Sequence, residues 1–338
     1  MGAIIGRKTR SSSRSRFGED EAMADVADDG GLSAEAEAPV PGWGWTETSL
    51  GLMVLIWGVN YAVVKGAIEA FDPLAFNALR FAIASVFVFV VLRAQGRLAW
   101  PARRDVPRIV MLGLVGNVVY QMAFILGLSR TAAGHASLML ALTPVCTSLL
   151  SRLTGHERPG ARTWTGAAVS ICGIALVSAS GQMPGHGGAD VGATLPGDLI
   201  LVGAAVVWAA YTVGSRPIVE RYGSVESTAW TLWVGAVGLA VAGAPALSAL
   251  DWRAVPGAAW GGLVFSAFFA IGLAYLIWYR GVERIGSTRT AVFSNLSPVV
   301  ALAASAVLLG ERPSAIALLG AALTLGGVMW ARSDPAHR

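Results

Sequence analysis

Residues 127–177 occur twice: moved 154 positions along the chain, they fall on residues 281–331. Gly127 meets Gly281, Arg130 meets Arg284, and Pro144-Val145 meets Pro298-Val299. Glu157-Arg158-Pro159 meets Glu311-Arg312-Pro313, Gly166-Ala167-Ala168 meets Gly320-Ala321-Ala322, and Gly173 meets Gly327. Of 51 ungapped positions, 14 are identical. Alanine shared between apolar stretches carries little weight. A Glu-Arg-Pro triplet at a fixed distance behind Pro-Val carries much more. The register crosses two apolar segments and their loop without an insertion. This is an internal duplication, and duplicated hydrophobic halves point to a membrane transporter.

The rest of the chain is consistent with a lipid environment. Its 338 residues are 54% hydrophobic and 14% charged, with a mean hydropathy of +0.59. A soluble globular chain carries about 25% charged residues. The apolar runs are continuous rather than alternating, which selects helices over a barrel. Ten such segments cover about residues 49–68, 73–92, 108–128, 132–153, 163–180, 199–215, 225–247, 260–280, 288–309 and 315–331. Each approaches the ~20 residues needed to cross the hydrocarbon. Residues 1–47 lack an apolar core and read as a disordered tail. Residues 181–197, rich in Gly and Pro and free of Lys and Arg, read as a linker between a half at 48–180 and a half at 198–331. Residues 332–338 are a short C-terminal tail.

Basic residues set the orientation. With the N-terminus inside, 20 Lys and Arg fall on the inner side. Only Lys65, Arg130, Arg253 and Arg312 fall outside, and Arg80 lies within a span. The asymmetry places both termini in the cytoplasm. Five spans per half is an odd number, so the two copies insert with opposite polarity. The expected fold is therefore an all-α integral membrane protein: ten transmembrane helices as two inverted five-helix repeats around a central cavity. The high pI of about 9.4 reflects these loop charges and does not imply nucleic acid as a partner.

The order of several motifs resembles the EamA branch of the drug/metabolite transporter superfamily. The matching stretches are Trp57-Gly58-Val59-Asn60-Tyr61, Leu79-Arg80-Phe81, and the repeated Pro-Val and Glu-Arg-Pro with a following Gly. The resemblance covers about residues 50–331. It implies two five-helix repeats around a central cavity, with the fifth and tenth helices peripheral. It also implies transport of small metabolites, often export of amino acids or related compounds, at a bacterial inner membrane. One departure stands out: with Trp208 as partner of Trp57, the second copy has Thr231 where the first has Arg80.

Polar and aromatic residues at helical spacing are the candidate substrate contacts. Trp57, Asn60 and Tyr61 lie on the first helix, Asn77 and Arg80 on the second, and Asn117, Tyr120 and Gln121 on the third. Trp208 and Tyr211 lie on the sixth, Tyr275 on the eighth and Asn295 on the ninth. Such faces look inward, either to bond neighbouring helices or to line a cavity. Arg80 sits seven residues into its helix, roughly 10 Å deep. A cation there costs about 2.5–3.5 kcal/mol, so it must cap carbonyls, pair with Glu69 or Asp72, or fork onto an anionic substrate. Lys65 is expected to snorkel towards Glu69 and Asp72. No Asp or Glu lies inside a predicted span; Asp198 and Glu226 sit at edges. A proton, if one is used, would fall to His135 or to such an edge carboxylate. Pro144 and Pro298 would kink the fourth and ninth helices as hinges or as inherited geometry. Gly166/Ser170 and Gly320/Thr324 form small-residue faces for close packing, within the subunit or across a homodimer. The sequence holds no catalytic motif, metal-ligand cluster or cofactor loop. An enzyme acting on lipid-linked substrates, or a membrane sensor or scaffold, remain the competing classes.

Overall fold

Helices form where the sequence places continuous apolar runs, and their ends are marked by local chemistry. The structure, a computed structural model, describes residues 44–153, 160–179, 191–285, 293 and 296–333. The tail, the Glu157-Arg158-Pro159 turn, Asn295 and residues 181–190 of the linker lie outside the described residues. In chain order the helices are α1 (Trp45–Ala67), α2 (Pro73–Ala94), α3 (Val106–Gly113), α4 (Tyr120–Arg130), α5 (Ala133–Leu140), α6 (Thr143–Leu153) and α7 (Ala161–Ala179). The second half has α8 (Val191–Tyr222), α9 (Ser224–Ala249), α10 (Gly257–Phe265), α11 (Ala274–Ile285), α12 (Ser297–Leu308) and α13 (Ala315–Arg332). Two π-helical segments, Leu114–Val119 and Ser266–Leu273, join α3 to α4 and α10 to α11.

Caps explain several starts. Asp72 accepts hydrogen bonds from the Leu74 and Ala75 amides at 2.8 and 3.2 Å, and Pro73 opens α2 where no intrahelical amide is needed. Ser314 accepts from the Ala317 amide at 3.1 Å at the start of α13. After α2 the chain reverses at Gly96, whose φ of +66° suits glycine.

Among the described residues, eight helical stretches are long and apolar enough to cross a membrane. Two shorter apolar helices, Ser297–Leu308 and Ala315–Ala331, accompany them. Large apolar side chains face outward, Val241 and Val307 being 72% and 82% exposed. That surface requires lipid.

Some expected boundaries move. α8 begins at Val191, so residues 191–197 of the expected linker are helical, and Asp198 stands inside a helix rather than at its edge. Pro144 does not kink a continuous helix. The fourth segment breaks at Ala141 and Leu142, and Pro144 opens α6. Pro298 likewise stands at the start of α12. Proline is tolerated in a first turn because its missing amide would be unpaired there.

The halves pack in a matched pattern. α1 lies against α12, α11 and α10; α8 lies against α6, α4 and the segment Leu114–Val119. α2 pairs with α9 and α7 with α13. The α7/α13 contact runs antiparallel: Thr163 faces Ala331, Gly166 faces Gly327, Ser170 faces Thr324 and Gly173 faces Gly320. The small-residue faces are thus used against each other within one chain and are not free for a second copy. A Cβ on Gly173 would lie 2.6 Å from the Gly320 carbonyl oxygen. We predict that Gly173→Ala destabilises the purified protein by about 1–3 kcal/mol through overpacking. Gly51→Ala, with open space around it, is the control. Equal thermal unfolding of both variants would contradict this account.

Candidate functional site

Arg80, on α2, is a charged side chain buried to 2% exposure. Its Nη2 donates to Asn77 Oδ1 at 2.7 Å and to Gln121 Oε1 at 2.7 Å. Its Nη1 donates to Ser266 Oγ at 3.2 Å. Asn77 in turn donates to the Gln121 carbonyl at 3.2 Å. The Phe76, Phe81 and Phe124 rings stand 5.6–5.8 Å from the guanidinium carbon. Every partner is neutral. The described ion pairs do not include Arg80, so of the alternatives open from the sequence, pairing with Glu69 or Asp72 is not what holds it. Its Nε is buried without a partner.

Local helix distortion positions these acceptors. Gln121 follows the π segment Leu114–Val119, and Ser266 opens the π segment Ser266–Leu273. A π turn inserts an extra residue per turn and re-aims the side chains beside it. Sequence reasoning missed Ser266, although it is the lone hydroxyl in the apolar run 263–273.

The aromatic candidates gather beside this centre and fill space with one another. Tyr120 contacts Trp208 with ring centroids 4.7 Å apart, and Trp208 contacts Tyr211 at 5.1 Å. Tyr61 meets Phe124 edge-on at 5.9 Å. Trp57 donates to the Ala270 carbonyl at 2.9 Å and meets Tyr275 edge-on at 6.1 Å. Tyr211 lies over Gly116 and shares a hydrogen bond with Thr231 at 3.1 Å. Asn117 is buried over Gly235, and Asn60 Oδ1 is buried without a partner. The described cavities are not the expected polar one. The larger, about 490 Å³, is an apolar groove along Ile83, Val86, Phe87, Val90 and Phe268. The smaller, about 20 Å³, touches Tyr275 but not Arg80. Among the described residues, Asn77, Arg80 and Gln121 are bonded together, and Tyr120, Trp208 and Tyr211 pack in sequence beside Gln121.

A second polar cluster occupies one end of the bundle. His135 on α5 places Nδ1 3.7 Å from Asp198 Oδ2 on α8. Asp198 also accepts from Thr131 at 2.6 Å and Ser178 at 2.8 Å. Glu311 accepts from the Ala133 and Gly134 amides at the start of α5. Lys65 interacts electrostatically with Glu69, as expected, and with Glu311, while its Nζ donates to the Leu128 and Ser129 carbonyls at 2.8 and 3.2 Å, capping the end of α4.

These features define a multi-span helical membrane protein with two matched halves and a buried polar centre. The EamA-like transporter family matches residues 45–179 and 195–333, and the chain belongs to it. The uncharacterized transporter YyaM of Bacillus subtilis (strain 168) is 28% identical over 275 residues, which is 81% of this chain and 89% of that protein. A probable terminal-alkyne amino-acid exporter of Streptantibioticus cattleyicolor is 29% identical over 286 residues, 83% of this chain and 91% of that one. A solved crystal structure matches with a TM-score of 0.58 at 23% identity, covering 83% of this chain and 94% of its own.

The Arg80 network is testable by itself. Gln121→Leu should destabilise the protein by about 1.5–3 kcal/mol, because a charge-assisted bond is lost in a buried site. Combined with Arg80→Met, the loss should be well short of additive. Strict additivity in thermal unfolding would show the two side chains to be uncoupled.

Proposed function

We propose that the chain is a secondary transporter that exports a small metabolite bearing a carboxylate, an amino acid or related compound, by alternating access. The observation that carries this is the buried Arg80 guanidinium, held only by neutral acceptors. A planar, always-charged fork with one nitrogen unpaired is suited to a carboxylate. The aromatic neighbours would cover the apolar part of the ligand. One relative is a probable terminal-alkyne amino-acid exporter, and the fit of Arg80 to a carboxylate agrees with a cargo of that kind.

In this reading the ten apolar segments are ten spans, arranged as an inverted repeat. The antiparallel pairing of duplicated residues across α7 and α13 supports the inversion, since Ser170 and Thr324, 154 positions apart, meet each other. Basic residues put both termini in the cytoplasm of a bacterial cell and the Lys65 end outside.

Two experiments test the reading. Single cysteines replacing Leu153 and Arg312, without Cys146 and Cys172, should label with an impermeant thiol reagent from opposite faces. Labelling from the same face would remove the inverted repeat. Gln121→Glu would give Arg80 an internal carboxylate. It is expected to raise thermal stability while abolishing uptake of amino acids into proteoliposomes. Arg80→Lys, which keeps the charge and loses the fork, should weaken carboxylate-bearing substrates more than neutral ones. Undiminished amino-acid transport by Gln121→Glu would sink the proposed role of Arg80 and leave it a purely structural tie.

A further inference from the structure

We propose that His135 and Asp198 form a proton-binding site that couples transport to a proton gradient, protonation drawing α5 onto α8 and closing that end of the bundle. This rests on the transporter reading above and extends it to the driving ion. Both side chains are buried, at 2% and 1% exposure. At 3.7 Å they stand just beyond hydrogen-bond distance, and His135 Nδ1 has no partner. Asp198 keeps two hydroxyl donors in either state, Thr131 and Ser178. A proton taken from water onto the imidazole would therefore create an ion pair between α5 and α8 without undoing any existing bond. Loss of that proton would leave the carboxylate to its hydroxyls and free the two helices to part.

The charges around the pair argue for the same step. α1 contributes Lys65, and the exposed Glu69 just beyond α1 interacts with Lys65. The turn before α13 contributes Glu311, and the end of α4 contributes Arg130. α6, packed on α8, contributes Cys146 and the exposed Arg152. α12 carries no ionisable residue. On α7, Cys172 is exposed and Arg162 sits at the far end, bonded to the Ser333 carbonyl; Arg332 is the last residue of α13. Arg130 is exposed and occupied by the Leu126 carbonyl. Among the described residues, with Glu69 exposed to solvent, the sheltered set is then one cation, Lys65, against two carboxylates, Asp198 and Glu311. One proton brings it to neutrality. Burial makes such a balance matter, because an unpaired charge in a low-dielectric site is costly. The cluster also spans the moving parts: Thr131 and His135 flank the start of α5, Ser178 ends α7, and Glu311 caps α5 from the second half.

Two readouts separate this idea from the transporter reading. The first is independent of any substrate. Ser137→Cys, on α5 and 1% exposed, replaces one hydrogen-bonding side chain by a near-isostere in protein lacking Cys146 and Cys172. Labelling by an impermeant thiol reagent, normalised at each pH to the denatured protein, should be slow at low pH and fast at high pH. Asp198→Asn and His135→Gln should each abolish that dependence. A flat pH profile, or one that survives both substitutions, overturns the proposal. The second readout uses proteoliposomes and the standard amino acids, each radiolabelled in turn. A one-unit pH gradient should drive about tenfold accumulation for one coupled proton. Asp198→Asn should show none while still exchanging amino acid across the membrane. Exchange without gradient-driven accumulation in the unsubstituted protein would refute coupling and leave the transporter reading standing. A pH-dependent Ser137→Cys label with no movement of any amino acid would leave the proton-binding site standing and refute amino-acid export as the transport it serves.

Discussion

A guanidinium placed among apolar helices must find acceptors, and most of the architecture around Arg80 follows from that demand. Its three partners come from three places: Asn77 one turn earlier on α2, Gln121 on α4, and Ser266 between α10 and α11. Two of the three flank π segments, which sit at corresponding positions of the third and eighth predicted spans. A π turn costs regular hydrogen bonding and is retained where side-chain direction matters. The distortions and the buried cation are therefore one feature seen from two sides. The acceptors bridge helices from both halves, so the charge also fixes how the halves meet.

The duplication gives the second constraint. Helices built from the same ancestral sequence present the same small residues, and small residues permit close backbone approach. When such helices cross antiparallel, each position meets the copy of its mirror image: Gly166 meets Gly327, the copy of Gly173, and Gly173 meets Gly320, the copy of Gly166. Ser170 and Thr324, copies of one another, meet in the middle, where the Ser170 hydroxyl donates to the Thr324 carbonyl at 3.1 Å. A parallel arrangement would instead set Gly166 beside Gly320. The order of contacts thus carries orientation, which the mere presence of a small-residue face does not.

Much of this was legible in the sequence. Continuous apolar runs are long-range signals, and nearly every expected segment has a helix on it. The grouping of Asn77, Arg80 and Gln121 with Tyr120, Trp208 and Tyr211 was readable because helical period alone puts each on one face. What was not legible depends on how helices sit against one another. Asp198 looked like an edge residue because the apolar run starts after it, yet α8 starts at Val191 and α5 and α7 cover the carboxylate. Lys65 keeps the expected influence of Glu69, but its bonds to the carbonyls at the end of α4 depend on a helix contact that the sequence does not show. Pro144 looked like a kink, since sequence shows that proline breaks a bond but not whether the helix has already ended. The contacts between polar faces were not legible either: the Arg80 partners Gln121 and Ser266 are set by how α2, α4 and the Ser266–Leu273 segment cross.

The two polar centres differ in sign. At Arg80 the protein supplies a cation and no anion. At the His135 end it supplies two carboxylates against Lys65. Neither imbalance is resolved within its own cluster, and each lies in surroundings where an uncompensated charge is unfavourable. The species that would neutralise the first is a small anion, and the species that would neutralise the second is a proton. Both diffuse, and both can be taken from one side and released on the other. A rigid structural protein would gain nothing from leaving these charges to outside partners, since replacing Gln121 by Glu or His135 by Lys would settle each internally. A carrier needs them left open, because its bound and empty states must differ in stability for a ligand to shift the balance between them.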